Sequence, residues 1–178
     1  MFKLLRSFMI GIPMTAMFSI ANGQAAFDPP KELPPIKLQM TDGSVFEKSA
    51  IKHDKPLLII YFSPDCEHCQ KLTKELIKNM SAFRDIHILM ISFVPYGSIK
   101  NFEEQYHLKA YPNIRIGTEG LAFTVKNYYR LQRTPFVGLY TRQGTLVKAY
   151  DNNPPFEELI RLVKKTQAQG SGLASKKK

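Results

Sequence analysis

Two kinds of hydrophobic pattern alternate along this chain: short apolar runs and stretches with helical spacing. Leu57 to Phe62 is an apolar run bounded by Pro56 and Pro64. It is too short for a helix and is typical of a strand buried on both faces of a sheet. The next apolar residues recur at helical spacing, which predicts an amphipathic helix beginning just after Cys66. Its inward positions are Cys69, Leu72, Leu76, Ile77 and Met80.

The same alternation continues further along the chain. Residues 86–93 form a second apolar run that predicts a buried strand, and a helix capped by Ser98 is expected to run to His107. A short strand or connector over 111–117 and another helix are expected next. Strands that alternate with helices are typical of a parallel sheet covered on both faces. The predicted inward positions of the two helices are Ile99, Phe102 and Tyr106, and then Leu121, Val125, Tyr128 and Tyr129.

Hairpins are predicted at both ends of this core. Residues 36–46 alternate around a turn at Asp42-Gly43 and predict an N-terminal hairpin. Pro135 stands at the start of an alternating strand, where a sheet tolerates proline, and residues 145–150 return as an antiparallel edge. A last helix is expected after Asn153. Together these elements predict an α/β fold with a central mixed sheet flanked by helices and an N-terminal β-hairpin extension.

The two ends of the chain fall outside this predicted core. Lys3 and Arg6 precede an apolar stretch and a run of small residues, which is typical of a secretory signal peptide cleaved after Gly23 or Ala25. An uncleaved membrane anchor is the alternative. We therefore expect an exported, periplasmic protein. The predicted division is a signal peptide over 1–25, a linker over 26–35, a domain over 36–167 and a flexible basic tail over 168–178.

Composition and charge narrow the range of partners. The chain has 178 residues, of which 44% are hydrophobic, and a formal net charge of +10. This composition suits one globular domain with short tails. The basic residues are scattered, and no zinc-finger, RNA-binding or helix-turn-helix pattern is present, which argues against nucleic acid as a partner. We interpret the charge as a solvated basic surface that favours acidic partners.

The only two cysteines, Cys66 and Cys69, have CxxC spacing at the predicted start of the first helix. Unpaired backbone N–H groups at a helix start favour a thiolate, so Cys66 is the predicted nucleophile and Cys69 the resolving thiol. A protonated His68 would lower the pKa of Cys66 and an ionised Glu67 would raise it, which leaves the net sign of their effect open. A purely structural disulfide is the simpler alternative, but so short a loop would restrict the unfolded chain very little.

A CxxC pair after a buried strand, Thr134-Pro135 before a later strand, and a closing hairpin with a helix give the sequence its resemblance to a known family. It resembles the extracytoplasmic thioredoxin-like proteins, specifically the TlpA/ResA-type thiol-disulfide oxidoreductases, from Ile36 to Lys165. The resemblance implies a thioredoxin-like fold with an N-terminal hairpin and an inserted segment containing a helix. It also implies that Pro135 is cis beside the cysteines and that the backbone of Thr134 pairs with a bound substrate strand.

Three positions depart from the family pattern. Asp65 stands where thioredoxins usually carry tryptophan. Ile60 and Leu72 occupy the positions of the carboxylates that assist proton transfer in thioredoxin and in ResA-type reductases. The dipeptide Glu67-His68 combines a residue of the reducing relatives with one of the more oxidising relatives. The sequence therefore does not identify the proton-transfer residue.

The resemblance implies an exported enzyme that exchanges dithiol for disulfide with protein partners, as a reductase rather than an oxidase. No cofactor or resident metal is expected, and a membrane electron donor is implied. Two alternatives remain open. A thiol peroxidase would use Cys66. Such enzymes resemble the motif Pro-x-x-x-Thr/Ser-x-x-Cys, in which Ser63 fits the Thr/Ser position but Ile59 stands at the proline position. A metal-binding chaperone would combine the two cysteines with His68 or His107.

Overall fold

The computed structural model describes residues 27–174, with side chains described through residue 169. The predicted signal peptide lies outside the described residues. The strands are β1 (Lys37–Met40), β2 (Val45–Glu47), β3 (Leu57–Tyr61), β4 (His87–Ser92), β5 (Ile114–Thr118), β6 (Phe136–Tyr140) and β7 (Leu146–Tyr150). The α-helices of the described part are α1 (Glu67–Lys78), α2 (Tyr96–Gln105), α3 (Thr124–Tyr129) and α4 (Phe156–Ala174). None of these helices has the length and apolar content needed to cross a membrane.

The strands form one mixed sheet in the order β2-β1-β5-β4-β3-β6-β7. β3, β4 and β5 run parallel. β1 pairs antiparallel with both β2 and β5, and β6 pairs antiparallel with both β3 and β7. The central strand β3 is buried along its whole length, as its uninterrupted apolar run predicts. The predicted mixed sheet and N-terminal hairpin are therefore both confirmed.

Apolar side chains cover both faces of the sheet. Leu76 of α1, Phe102 of α2 and Leu159 of α4 belong to one buried cluster. Val125 of α3 and Leu33 of the N-terminal segment belong to the cluster on the other face. Because β3 contributes alternate side chains to both clusters, its carboxyl end is held from both sides.

Two predicted helix starts are corrected by the structure. α2 begins at Tyr96 with Pro95 as its N-cap residue, so Ser98 lies in the first turn and does not cap the helix. The Pro95 carbonyl accepts the backbone N–H of Ser98 at 3.0 Å, which starts the helix without a side-chain cap. Leu121 is 86% exposed and does not face inward. Residues 120–122 form a separate 3-10 turn before α3, which takes Leu121 off the buried face of that helix.

The C-terminal helix is longer than the sequence indicates. α4 continues to Ala174, so it includes the first residues of the segment predicted to be a flexible tail over 168–178. A helix that is already anchored by packing extends at little cost, because each added residue supplies one more backbone hydrogen bond. This propagation carries α4 through Gly170 and Gly172 despite the low helix propensity of glycine.

The segment expected to be a linker forms neither helix nor strand but packs onto the domain. The carbonyl of Lys31 accepts the backbone N–H of Leu146 in β7 at 2.8 Å. Further towards the N-terminus, the ring of Phe27 meets the ring of Phe136 edge-on, with centroids 6.1 Å apart. The segment therefore follows the β6–β7 side of the sheet and does not project freely into solvent.

We expect Leu76→Ala to destabilise the protein by about 2–5 kcal/mol, because this side chain is 1% exposed and its removal leaves a cavity beneath α1. Leu121→Ala is the matched control, since it removes the same atoms from an exposed site and should change stability by no more than about 0.5 kcal/mol. Urea unfolding followed by circular dichroism measures both values. Equal losses in the two variants would contradict the packing described for α1.

Candidate active site

The connection between β3 and α1 brings both cysteines to the carboxyl edge of the parallel strands. The hydroxyl of Ser92, at the end of β4, donates to the carbonyl of Phe62 at 2.8 Å. The side-chain amide of Gln70 in α1 donates to the carbonyl of Pro64, also at 2.8 Å. These two bonds tie the connection to the neighbouring strand and to the helix, so they fix the position of Cys66.

Cys66 is the N-cap residue of α1, as the sequence predicts. Its Sγ accepts the backbone N–H of Cys69 at 3.4 Å, a role that serine or aspartate oxygen usually fills. Partial burial alone would raise the pKa of Cys66. Hydrogen bonds from the side chains of Cys69 and Thr134, and from the backbone N–H groups of Cys69 and His68, outweigh that effect and lower the pKa below its usual value. The site therefore stabilises a thiolate at Cys66.

Cys69 lies one helical turn further on and has the opposite properties. It is 1% exposed, and its burial, together with its hydrogen bond to Cys66, raises the pKa of Cys69 to about 12. Both cysteines are free thiols in this structure. One thiol is thus accessible and easily ionised, whereas the other is shielded and protonated. This is the division that a nucleophilic and a resolving thiol require.

A loop distant in sequence completes the site. The peptide bond between Thr134 and Pro135 is cis, as the resemblance implies. The Cys66 thiol donates to the carbonyl of Thr134 over a distance of 3.4 Å. Phe136, the next residue, pairs in register with Tyr61 at the end of β3, so the sheet itself brings this loop to the cysteines. Pro135 contributes no backbone N–H beside the two sulfurs.

The two residues between the cysteines are exposed. His68 Nδ1 lies 3.4 Å from Nδ2 of Asn153, in the loop before α4, and the Glu67 side chain faces solvent. The effect predicted for the charges of these two side chains stays a prediction. The sequence analysis missed Asn153 as a neighbour of the site. The available signal was its position after β7, the strand that pairs with the strand following Pro135.

The described residues do not assemble a metal-ligand set. Within 27–174, no group of three or more histidine, cysteine, aspartate or glutamate side chains is placed to hold a metal ion. His68 and His107 are both exposed, and neither completes a ligand set with Cys66 and Cys69.

Comparisons with known proteins agree with this geometry. A family model described as a thioredoxin-like domain matches residues 46–167. The human protein disulfide-isomerase A6 is 28% identical over 108 residues, which are 60% of this chain but 22% of that protein. This chain thus spans less than a quarter of the curated relatives that it matches.

Solved structures show the same fold at low sequence identity. A Bacteroides thetaiotaomicron protein assigned as a protein disulfide isomerase matches with a TM-score of 0.68 and 17% identity, over 84% of this chain and 96% of that one. A secreted Mycobacterium tuberculosis disulfide oxidoreductase, homologous to Escherichia coli DsbE, matches with a TM-score of 0.59 and 18% identity, over 76% and 96% of the two chains. The thioredoxin-like fold predicted from the sequence is therefore confirmed.

The Cys69→Ala and Cys69→Ser variants test what lowers the pKa of Cys66. Serine keeps a side-chain donor next to the Cys66 thiolate, whereas alanine removes it, so we expect the pKa of Cys66 to be higher in Cys69→Ala. A higher pKa leaves less thiolate at pH 7, so iodoacetamide should alkylate this variant more slowly at that pH.

The pH dependence of the alkylation rate measures both values. In Cys69→Ser the midpoint should fall below about 8.5, the ordinary value for a cysteine thiol. A midpoint at or above that value in Cys69→Ser would contradict the stabilised thiolate.

Proposed function

Because this chain belongs to the thioredoxin-like domain family, we propose that it is an exported thiol-disulfide oxidoreductase of the TlpA/ResA type that reduces disulfides in protein substrates. One observation carries the proposal: a thiol with a lowered pKa and a buried thiol with a raised pKa share the start of one helix, next to a cis-proline loop. The family resemblance of the sequence supports the reductase direction.

The proposed reaction begins at the Cys66 thiolate. It attacks one sulfur of a substrate disulfide, forms a mixed disulfide, and releases the other substrate sulfur as a thiolate that takes up a proton. Cys69 then gives up its proton and attacks the Sγ of Cys66. The Cys66–Cys69 disulfide forms, and the second substrate sulfur leaves as a thiol. Two electrons pass from the enzyme to the substrate, and the two cysteines end oxidised.

The second step depends on the ionisation of Cys69. Its pKa is raised first by burial and also by its hydrogen bond and negative charge interaction with Cys66. Formation of the mixed disulfide removes the Cys66 charge, so that part of the barrier to ionisation disappears when Cys69 has to react. Burial still opposes ionisation, and this keeps Cys69 protonated until a disulfide is in place beside it.

The proposal extends to the substrate and to the electron supply. The backbone of Thr134 is proposed to pair with an extended stretch of the substrate next to its disulfide, as strand addition allows. After each turnover the Cys66–Cys69 disulfide must be reduced again. For an exported reductase the electrons would come from a membrane protein with its own dithiol. The two sulfurs carry the electrons, so the reaction needs no further cofactor.

The reduction potential of the Cys66–Cys69 pair tests the reaction and its direction. For a reductase we expect a value near that of thioredoxin, about −270 mV, when the protein is equilibrated with dithiothreitol buffers. A value near −120 mV would identify a disulfide donor instead. Cys66→Ser is the control, since it should abolish the reversible two-electron exchange while the fold persists. Wild-type protein without reversible exchange would refute the proposed function.

If the protein is exported, removal of the predicted signal peptide should shorten the chain at its N-terminus. When the protein is expressed with its complete N-terminus in a bacterial host, we expect the mature form to begin at Gln24 or Ala26 and to appear in the periplasmic fraction. Intact-mass measurement of the purified protein identifies the cleavage point. Lys3→Glu combined with Arg6→Glu reverses the N-terminal charge and should reduce processing. A full-length chain found in the cytoplasm would refute export.

A further inference from the structure

A partly exposed aromatic side chain packs against the residue that follows Pro135 and has no role in the chemistry described above. Phe27 is 38% exposed and meets the ring of Phe136 edge-on. Phe136 directly follows Pro135, and the carbonyl before that proline contacts the Cys66 thiol. The N-terminal segment therefore reaches the loop that the substrate is proposed to contact.

Phe27 lines several clefts, two of which adjoin residues of the candidate active site. One cleft, of about 320 Å³, is bounded by residues 130–133 and Asp151. The other, of about 360 Å³, is bounded by residues 148–153 and the start of α4. Arg133 in the first cleft adjoins Thr134, and Asn153 in the second contacts His68. Both clefts thus continue the surface across which a substrate disulfide would approach Cys66.

Of the two clefts, the first is basic: Arg130 and Arg133 line it, and Asp151 is the one acidic residue of its lining. Asp151 pairs with Arg133 at 3.0 Å, so the charge of Arg130 has no acidic partner within that lining. The second cleft contains Lys148, Asp151 and Glu158 and has no excess of positive charge. The side chain of Arg130 is exposed and lines the first cleft. Charge complementarity therefore favours an acidic group close to an apolar one.

The segment that carries Phe27 is fixed before any substrate arrives. Pro29 is buried, Pro30 restricts the backbone, and Lys31 is hydrogen-bonded to β7. A side chain held in place in this way binds a ligand with a smaller loss of entropy than one on a free chain.

We propose that Phe27 is a substrate-binding residue. An extended peptide that pairs with Thr134 continues into the clefts, packs an apolar side chain against Phe27 and directs a carboxylate towards Arg130. This inference rests on the proposed function and adds the substrate class, which is a disulfide flanked by apolar and acidic residues. The N-terminal segment is then part of the active site.

The test uses two synthetic peptides that each contain one disulfide. They differ only at the two positions next to the reactive cysteine, which are Phe-Glu in one peptide and Ala-Gln in the other. For Phe27→Ala we expect a KM about fivefold higher for the Phe-Glu peptide, with kcat unchanged, as the loss of one apolar contact suggests. The KM for the Ala-Gln peptide should not change, and Phe27→Leu should recover most of the affinity.

Two controls separate this role from a structural one. Val45→Ala removes a side chain that is 64% exposed on β2, at the opposite edge of the sheet, and should alter neither peptide. Reduction of bis(2-hydroxyethyl) disulfide, a small disulfide with neither an aromatic nor an acidic group, should be equal in all variants.

The outcomes distinguish the two proposals. If the wild type reduces the small disulfide but Phe27→Ala leaves the KM of the Phe-Glu peptide unchanged, or raises both KM values equally, the role of Phe27 is refuted and the proposed function stands. If the wild type reduces none of the three disulfides, both are refuted. A selective rise in KM with recovery in Phe27→Leu supports the role of Phe27.

Discussion

The backbone N–H of Cys69 donates to the sulfur of Cys66, and the rest of the site depends on this contact. It exists because α1 begins immediately after Cys66, which leaves the first N–H groups of the helix without partners inside the helix. The helix can begin there only because β3 ends at Tyr61 and Leu76 anchors the helix in the core. The buried core thus determines where a thiolate is stable.

The difference between the two thiols is a property of the whole sheet. Cys66 and Cys69 are chemically identical and three residues apart, yet the pKa of Cys66 is lowered and that of Cys69 is raised. Burial is the largest cause of the raised pKa at Cys69. Part of the decrease at Cys66 comes from Thr134, which the pairing of β6 with β3 brings to the sulfur. The register of β6 against β3 therefore helps to set the pKa of Cys66.

The N-terminal segment has the composition of a linker but packs against the domain. Its prolines predict an extended chain, and residues 27–35 form neither helix nor strand. The same prolines stiffen the segment, and the hydrogen bond between Lys31 and Leu146 fixes it along β7. A segment fixed in this way positions Phe27 beside the cis-proline loop. A segment whose sequence suggests only a connection therefore packs against the residue that follows Pro135.

Features that depend on local order could be predicted from the sequence. These are the buried strand β3, the helix that begins after Cys66, the two hairpins, and the position of Cys66 at the start of that helix, because hydrophobic period and helix-end chemistry act over a few residues. The contacts between distant groups came from the tertiary structure. It brought Thr134 to Cys66 and Asn153 to His68, packed Phe27 against Phe136, turned Leu121 outward and extended α4 to Ala174. Those outcomes follow from strand register and from packing across the sheet, which a local pattern does not encode.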